Sequence, residues 1–139
     1  MTANTKTANE RTYPAPNISL ETEAYWAAAN EGKLLMKKCS DCGKTHFYPR
    51  AICPHCHGGN TEWYEASGKG VIYSYSVMRR GATPYAIAYV TVDEGITMMT
   101  NIVDCDYDAL AVGQAVEVTF RQSDGGGGHD QAIPVFRPT

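Results

Sequence analysis

The fold of this chain is decided by two short segments, Cys39-Ser40-Asp41-Cys42-Gly43 and Cys53-Pro54-His55-Cys56-His57-Gly58. They contain two Cys-x-x-Cys pairs, and ten residues lie between the pairs. Two such knuckles, brought together by a hairpin, supply the four sulfur ligands that a tetrahedral Zn²⁺ ion prefers. Scattered thiols or a disulfide would not require this paired spacing. The sequence therefore predicts one Zn²⁺ per chain, held by Cys39, Cys42, Cys53 and Cys56.

The predicted metal site has four thiolate ligands and no open coordination position, which makes it a structural site that does not activate water. Gly43 permits a positive φ directly after the first pair, so that the backbone can curl around the metal. Cysteines kept as free thiolates suit a reducing compartment, and we expect the protein in the cytoplasm. Residues 1–11 lack the apolar stretch of a signal peptide, and no apolar run approaches the roughly 20 residues that span a bilayer.

Before the first knuckle, the sequence predicts a polar lead-in and then a helix. Residues 1–17 lack periodicity and are expected to be extended or disordered. A helix is predicted from an N-cap at Ser19 to a stop at Gly32. Short strands on either side of the knuckles, at 33–38, 45–48 and 60–64, complete a helix and zinc ribbon over residues 18–66.

The helix and the ribbon are unusually rich in aromatic residues for their size. Tyr25 and Trp26 lie on the short helix, and Phe47-Tyr48 lies on the ribbon. This is more aromatic surface than a thin ribbon is expected to bury by itself. Grouped aromatic residues are a common basis of interface hot spots, so the pattern predicts a contact with another protein.

After Gly68 the sequence alternates as β structure. A tight hairpin turn is predicted at Asp93-Glu94-Gly95, and a helical turn is predicted near 107–110. Strands are predicted at 70–77, 85–92, 96–103, 115–121 and 133–136. No segment between them is suited to a βαβ crossover helix, so residues 67–139 are expected to form a Greek-key barrel of the OB type. The predicted fold is mainly β, with an N-terminal helix plus a rubredoxin-like zinc ribbon followed by a five-stranded OB-fold barrel.

OB barrels often stack nucleic-acid bases on exposed aromatic residues, so the barrel tyrosines need an explanation. Tyr73 and Tyr75 share a face at period two, as do Tyr85, Ile87 and Tyr89, and one such face is expected to fill the barrel. The net charge of −3 argues against a nucleic-acid interface, which usually carries a basic surface. A core or protein-interface role is favoured, and a single-stranded nucleic-acid-binding module stays as the alternative.

Two further sites have side chains that could react or bind a ligand. Cys105 lies outside the pairs, but the flanking carboxylates of Asp104 and Asp106 would raise its thiol pKa, which disfavours a nucleophile. Arg79 and Arg80 follow the first barrel strand and could bind phosphate oxygens, although surface arginines are usually only solvated. No catalytic residue is assigned in this chain.

The histidines and a glycine run are given structural roles. His55 and His57 flank Cys56, but four well-spaced cysteines make them unnecessary as ligands. The Gly125–Gly128 run beside His129 is followed by a strand and not by a helix, so it is interpreted as a hairpin loop and not as a phosphate loop.

Several segments in order carry a resemblance to a known family. They are Leu34–Gly43, Phe47–Cys56, Gly68–Tyr75, Val112–Val118 and Ile133–Pro138. Over roughly residues 18–139 the chain resembles the zinc-ribbon plus OB-fold proteins, formerly a domain of unknown function, that accompany thiolase-like enzymes. Some relatives lack part of the cysteine set, whereas this chain has all four.

The resemblance implies a function that composition and spacing do not reveal. It implies a non-catalytic accessory subunit bound to a thiolase-like protein that processes acyl-CoA and carries the catalytic residues. Relatives of this kind occur in acyltransferases and thiolases of aromatic metabolism and in aldolases that shorten steroid side chains, so the reaction stays open among thiolysis, acyl transfer and retro-aldol cleavage. Acyl-CoA could lie at or near the interface with the partner. A stand-alone acyl-CoA-binding protein is a further alternative.

Overall fold

The computed structural model of this chain describes residues 11–126 and 130–139. Over these residues the fold is mainly β, with one α-helix, α1 (Glu23–Ala29). The first sheet has three strands in the order β2-β1-β3, with bounds β1 Leu35–Cys39, β2 Thr45–His46 and β3 Thr61–Glu65. Both neighbours run antiparallel to β1, and the two knuckles lie at one end of this sheet.

The second sheet is a closed barrel in the order β4-β5-β6-β8-β7. Its strands are β4 Lys69–Met78, β5 Tyr85–Val92, β6 Thr97–Ile102, β7 Ala115–Gln122 and β8 Ala132–Pro138. All pairs are antiparallel except β6 with β8, and a 3-10 turn at Tyr107–Ala109 lies between β6 and β7. This is the predicted architecture, a zinc ribbon region before a five-stranded OB barrel.

Strand β5 turns its small side chains, and not its tyrosines, toward the barrel interior, which also contains the larger Ile72, Ile102 and Phe136. On β5 the buried residues are Ala86, Ala88, Val90 and Val92, whereas Ile87 and Tyr89 are 38% and 46% exposed. The expectation that an aromatic face fills the barrel was therefore wrong. A barrel of only five strands encloses little space, and alternate alanine and valine residues match its narrow interior.

A register shift in β4 separates the two tyrosines that were expected to share a face. The shift lies between Ile72 and Ser74, and it leaves Tyr73 outside the barrel with 66% exposure. Tyr75 then pairs with the buried Ala88, and its hydroxyl donates to the carbonyl of Leu110 at 2.8 Å. A bulge adds one residue to one strand and so reverses the alternation of side chains beyond it.

Helix α1 begins later than the sequence indicated. Thr22, and not Ser19, occupies the N-cap position, and no side chain caps the helix. Ser19 is instead part of a turn in which its carbonyl accepts the Thr22 N–H at 3.1 Å. The helix ends at Ala29 with Asn30 as its C-cap, and the predicted stop, Gly32, has a φ of +79° in the turn that follows.

The helix aromatics are buried within the chain. Tyr25 and Trp26 are 3% and 9% exposed. The Tyr25 ring contacts the rings of Phe47 and Tyr48 at centroid distances of 5.7 and 5.5 Å, and Trp26 Nε1 donates to the Tyr48 hydroxyl at 2.8 Å. The chain buries these aromatic rings by itself, so Tyr25 and Trp26 are not available to a partner as was expected. Of the four aromatic residues, only Tyr48 is exposed, at 37%.

Helix α1 is also tied to the barrel. The Gln131 side chain is buried and donates to the carbonyl of Trp26 at 2.9 Å. The Ala132 N–H at the start of β8 donates to Asn30 Oδ1 at 2.8 Å. One short helix therefore contacts both the ribbon and the barrel. Among residues 11–126 and 130–139, no helix is long and apolar enough to cross a membrane.

Candidate metal centre

The two knuckles have the same backbone geometry. The carbonyl of Cys39 accepts the N–H of Gly43, and the carbonyl of Cys53 accepts the N–H of His57, each at 2.8 Å. Gly43 and His57 directly follow the second cysteine of their pairs, and their φ angles are +75° and +66°. The positive φ predicted at Gly43 is confirmed. Its counterpart at His57 was not expected, because residues other than glycine rarely adopt this conformation.

Gly58 lies close to both knuckles. A Cβ atom at this position would lie 2.5 Å from Asp41 Oδ2 and 3.3 Å from the sulfur of Cys56. The Asp41 carboxylate also accepts the side-chain amide of Asn60 at 3.1 Å, which links the first knuckle to the chain that leaves the second. A larger residue at position 58 would therefore have to displace the Asp41 carboxylate, a contact that was not predicted from the sequence.

The four predicted cysteines come together at this point. Their sulfur atoms all lie within 4.8 Å of one another, with Cys39–Cys56 at 3.6 Å and Cys42–Cys53 at 3.7 Å. A disulfide needs about 2.05 Å between sulfurs, so these thiols are not bonded. A tetrahedron with Zn–S bonds of about 2.3 Å places its sulfurs about 3.8 Å apart. The donor set and its spacing therefore fit Zn²⁺.

Two of these thiols have shifted pKa values in opposite directions. Burial raises the pKa of Cys53, but the backbone N–H groups of Cys56 and His55 and the nearby thiols lower it more, to about 6. The N–H of Gly58 lowers the pKa of Cys56, yet the other three thiols and burial outweigh it and raise the value to about 12. Closely spaced sulfurs share protons in this way because they cannot all be ionised without a cation between them.

The histidines near the cysteine cluster have other contacts. His46 is buried, and its Nε2 accepts the backbone N–H of Arg50 at 3.2 Å. Burial lowers the pKa of His46, which keeps the ring neutral for this role. His55 and His57 are exposed. His129 and part of the glycine run, Gly127 and Gly128, lie outside the described residues.

Arg79 and Arg80 lie on the barrel and not on the ribbon, at the end of β4. Both are exposed. Arg79 pairs with Asp108 of the 3-10 turn at 2.7 Å, and these two side chains are 57% and 78% exposed. An ion pair this exposed contributes little to stability, so it leaves the guanidinium accessible to an anion.

Cys105 lines a cavity of about 540 Å³ beside Arg11, Asn101 and Tyr107. Burial raises the pKa of the Cys105 thiol, and the carboxylates of Asp104 and Asp106 raise it further. The thiol is therefore protonated near neutral pH, which does not suit a nucleophile. Asp104 is held by Arg121, whose buried Nη2 lies 2.6 Å from Asp104 Oδ1.

A second concave surface was not anticipated from the sequence. It is an apolar groove of about 560 Å³ whose lining includes Tyr48, Ile87 and Met99, together with residues of α1 and of the segment 11–16. These elements are far apart in the sequence, and only the closed barrel and the docked helix bring them together.

Comparison with known proteins identifies the family of this chain. Residues 26–62 match the family model for the ChsH2 rubredoxin-like zinc ribbon domain, and residues 63–121 match that for the ChsH2 C-terminal OB-fold domain. A DUF35 domain-containing scaffold protein of Methanothermobacter thermautotrophicus is 41% identical over 92 residues, which cover 61% of this chain and 69% of the relative. The chain belongs to the ChsH2 (DUF35) family.

Other members of this family carry names that refer to enzyme subunits. A probable enoyl-CoA hydratase alpha subunit of Thermomonospora curvata is 30% identical over 90% of this chain, which spans 40% of that protein. Benzoylsuccinyl-CoA thiolase subunit BbsA of Geobacter metallireducens is 29% identical over 60% of this chain and 58% of the relative. Among solved structures, a chain of the Ltp2-ChsH2(DUF35) aldolase has a TM-score of 0.75 and 29% identity, and the match covers 89% of this chain and 98% of that one.

Proposed function

We propose that this chain is a non-catalytic, zinc-binding accessory subunit of a thiolase-type enzyme that processes acyl-CoA. The observation that carries the proposal is the similarity over 89% of the chain to a component of an aldolase assembly, at a TM-score of 0.75. The relationship to a thiolase subunit adds to it. The proposal places the complex in the cytoplasm, as expected for an enzyme of acyl-CoA metabolism.

The proposed role of the four cysteines is to hold one Zn²⁺ per chain. Cys39 and Cys42 would bind it from the first knuckle, and Cys53 and Cys56 from the second. With four thiolate ligands, the ion supplies structural cross-linking and no catalytic chemistry. By joining the knuckles it would hold the end of β1 and the loop before β3, and with them the Phe47–Tyr48 segment that packs on α1.

The catalytic residues are assigned to the partner subunit. Thiolysis, acyl transfer and retro-aldol cleavage all remain compatible with an accessory role, and the aromatic or steroid acyl-CoA classes are suggested by the relatives alone. Arg79 and Arg80 are proposed to contact CoA phosphates at the edge of the complex. Their exposed guanidinium groups can donate parallel hydrogen bonds to phosphate oxygens.

Cys105→Ala is expected to leave the kcat/KM of the reconstituted complex within a few-fold of the parent. The thiol is protonated, lies between two carboxylates and has no part in the proposed reaction. Steady-state kinetics of the complex test this. A loss beyond about a thousandfold, which is the scale of removing a nucleophile, would instead make Cys105 catalytic.

Association is tested with a tagged copy of the chain expressed in its native host. We expect a thiolase-fold chain to co-purify, and the two chains, once co-expressed, to elute together on a sizing column. The interface should exceed roughly 1,000 Å² in total, as stable complexes do. Separate elution of the two chains would refute the proposal. Recovery of single-stranded nucleic acid, or of free CoA bound to the chain alone, would favour the corresponding alternative.

A further inference from the structure

The outer surface of β4, β5 and β6 is an exposed apolar face. We name it the β4–β6 face, and its large apolar residues are Val71, Tyr73, Ile87, Tyr89 and Met99. Their exposed fractions are 43%, 66%, 38%, 46% and 62%. Tyr89 pairs with Met99 of β6 and with Ser74 of β4, and Tyr73 directly precedes Ser74 at the register shift. The three most exposed side chains of the face therefore lie on three adjacent strands.

The face itself has no charged side chain, and charges lie only at its edges, with Lys69 at the start of β4 and the Arg11 guanidinium 4.1 Å from the centroid of the Tyr85 ring. Residues 71–78, 85–92 and 97–102 contain no Asp, Glu, Lys or Arg. The opposite side of the barrel differs, because Glu117 on β7 and Arg137 on β8 form an ion pair at 3.1 Å on its surface. Contiguous apolar surface of this kind on a small protein usually marks an interaction site.

The β4–β6 face continues into the apolar groove. Ile87 and Met99 belong to both surfaces, and Tyr48 lies on the far wall of the groove beside the buried helix aromatics. An occupant of the whole surface would therefore lie flat on the sheet and insert a protruding element beside α1.

We propose that the β4–β6 face and the groove are the docking surface for the thiolase-type subunit, which inserts a helix or loop into the groove. This inference rests on the proposed function and adds the location of the interface. The partner surface is expected to be apolar and uncharged where it meets Tyr73, Tyr89 and Met99, because a charge placed there would lose its hydration without gaining an ion-pair partner.

Other occupants fit this surface less well. Single-stranded nucleic acid needs a cationic groove beside the aromatics, and an anionic membrane needs a basic rim, whereas the described lining of this groove offers a single cation, Arg11. A second copy of the chain would offer a face of three strands and about six residues each, which covers only about 300 Å² at strand spacings of about 4.8 Å. That is below the roughly 800 Å² per partner of a standard interface, and a groove cannot fill an identical groove, so a second copy would bury the flat face alone, whereas a partner with a protruding element would also bury the walls of the groove.

The test uses the complex of this chain with the thiolase-fold subunit identified by co-purification. Tyr73→Lys and Met99→Lys, combined in one variant, should weaken association at least a hundredfold by isothermal titration calorimetry. Both side chains are more than 60% exposed, so melting temperature and zinc content should stay as in the parent. Leu20→Lys is the matched control, because Leu20 is 92% exposed and lies outside the face, and its affinity should change less than threefold.

A second measurement does not depend on a variant. In hydroxyl-radical footprinting, Met99 should be oxidised in the free chain and protected in the complex, while the fully buried Met36 reports on folding in both. If the parent and the double variant bind the partner equally, and Met99 stays reactive in the complex, the docking surface is wrong and the proposed function stands. If the parent does not bind the partner, both fail. Dimerisation of the free chain that the double variant abolishes would also overturn the inference, in favour of a second copy.

Discussion

Cys42→Ser is expected to lower the zinc content from one ion per chain to less than about a tenth, and to unfold the ribbon. Structural zinc contributes about 10–16 kcal/mol to the folding of small domains, so a site with three thiolates and one hydroxyl should lose most of its affinity. In this variant three of the four sulfurs would remain close together without a cation to compensate them. Elemental analysis and thermal unfolding measure the two effects.

The chain offers a matched control for this experiment. Cys105→Ala removes the cysteine that lies outside the cluster, and it should keep the full zinc content and a melting temperature within a few degrees of the parent. Chelation of the parent protein should reproduce the effect of Cys42→Ser. Purification of the parent as a folded protein free of metal, with its ribbon resistant to proteolysis, would contradict the proposed zinc site.

The activity of the thiolase-type subunit is expected to depend on this chain. The chain alone should turn over no acyl-CoA, and the partner alone should lose at least about a hundredfold in kcat/KM. The reason is positional, because displacement of reacting groups by about 1 Å can cost two orders of magnitude. The proposed role of this chain is to support the partner around the acyl-CoA entrance. A spectrophotometric thioester assay on each chain and on the mixture measures this dependence.

Reconstitution distinguishes a partner whose activity requires this chain from a partner that only co-purifies with it. Addition of the parent chain should restore the activity of the partner, and Cys105→Ala should restore it equally well. The Cys42→Ser chain should not, because a ribbon without metal no longer holds Phe47 and Tyr48 against α1. Full activity of the partner by itself, or robust turnover by this chain alone, would refute the accessory role.

The parts of the fold that were predicted correctly are those with short-range causes. The Cys-x-x-Cys spacing is local, and each knuckle closes through hydrogen bonds over four or five residues. The turn at Asp93-Glu94-Gly95 likewise depends on a glycine with a φ of +91°. Alternation of apolar and polar residues located the five barrel strands because strand side chains point to opposite faces at every second residue.

The predictions were wrong where the burial of a side chain depended on the closure of the barrel, on a bulge or on contacts with distant segments. Alternation in β5 could not show whether Tyr85, Ile87 and Tyr89 or the small residues between them point inward, because either set is apolar. In the closed barrel the small set of β5 points inward and shares the interior with the buried Ile72, Ile102 and Phe136 of other strands, and that arrangement exists only after closure. The bulge beside Tyr73 reversed the alternation in β4 without a glycine or proline to mark it.

The sequence by itself determined the metal ligands to be tested, the mainly β architecture and the order of its parts, because these follow from local spacing and from the period of the strands. Tertiary structure decided which aromatic residues are available to a partner. Tyr25 and Trp26 are buried because α1 packs on both the ribbon and the barrel, whereas Tyr73, Tyr89 and Met99 are exposed because they lie on the outer face of the closed barrel. Burial depends on contacts between segments far apart in the chain, and no local pattern records those contacts.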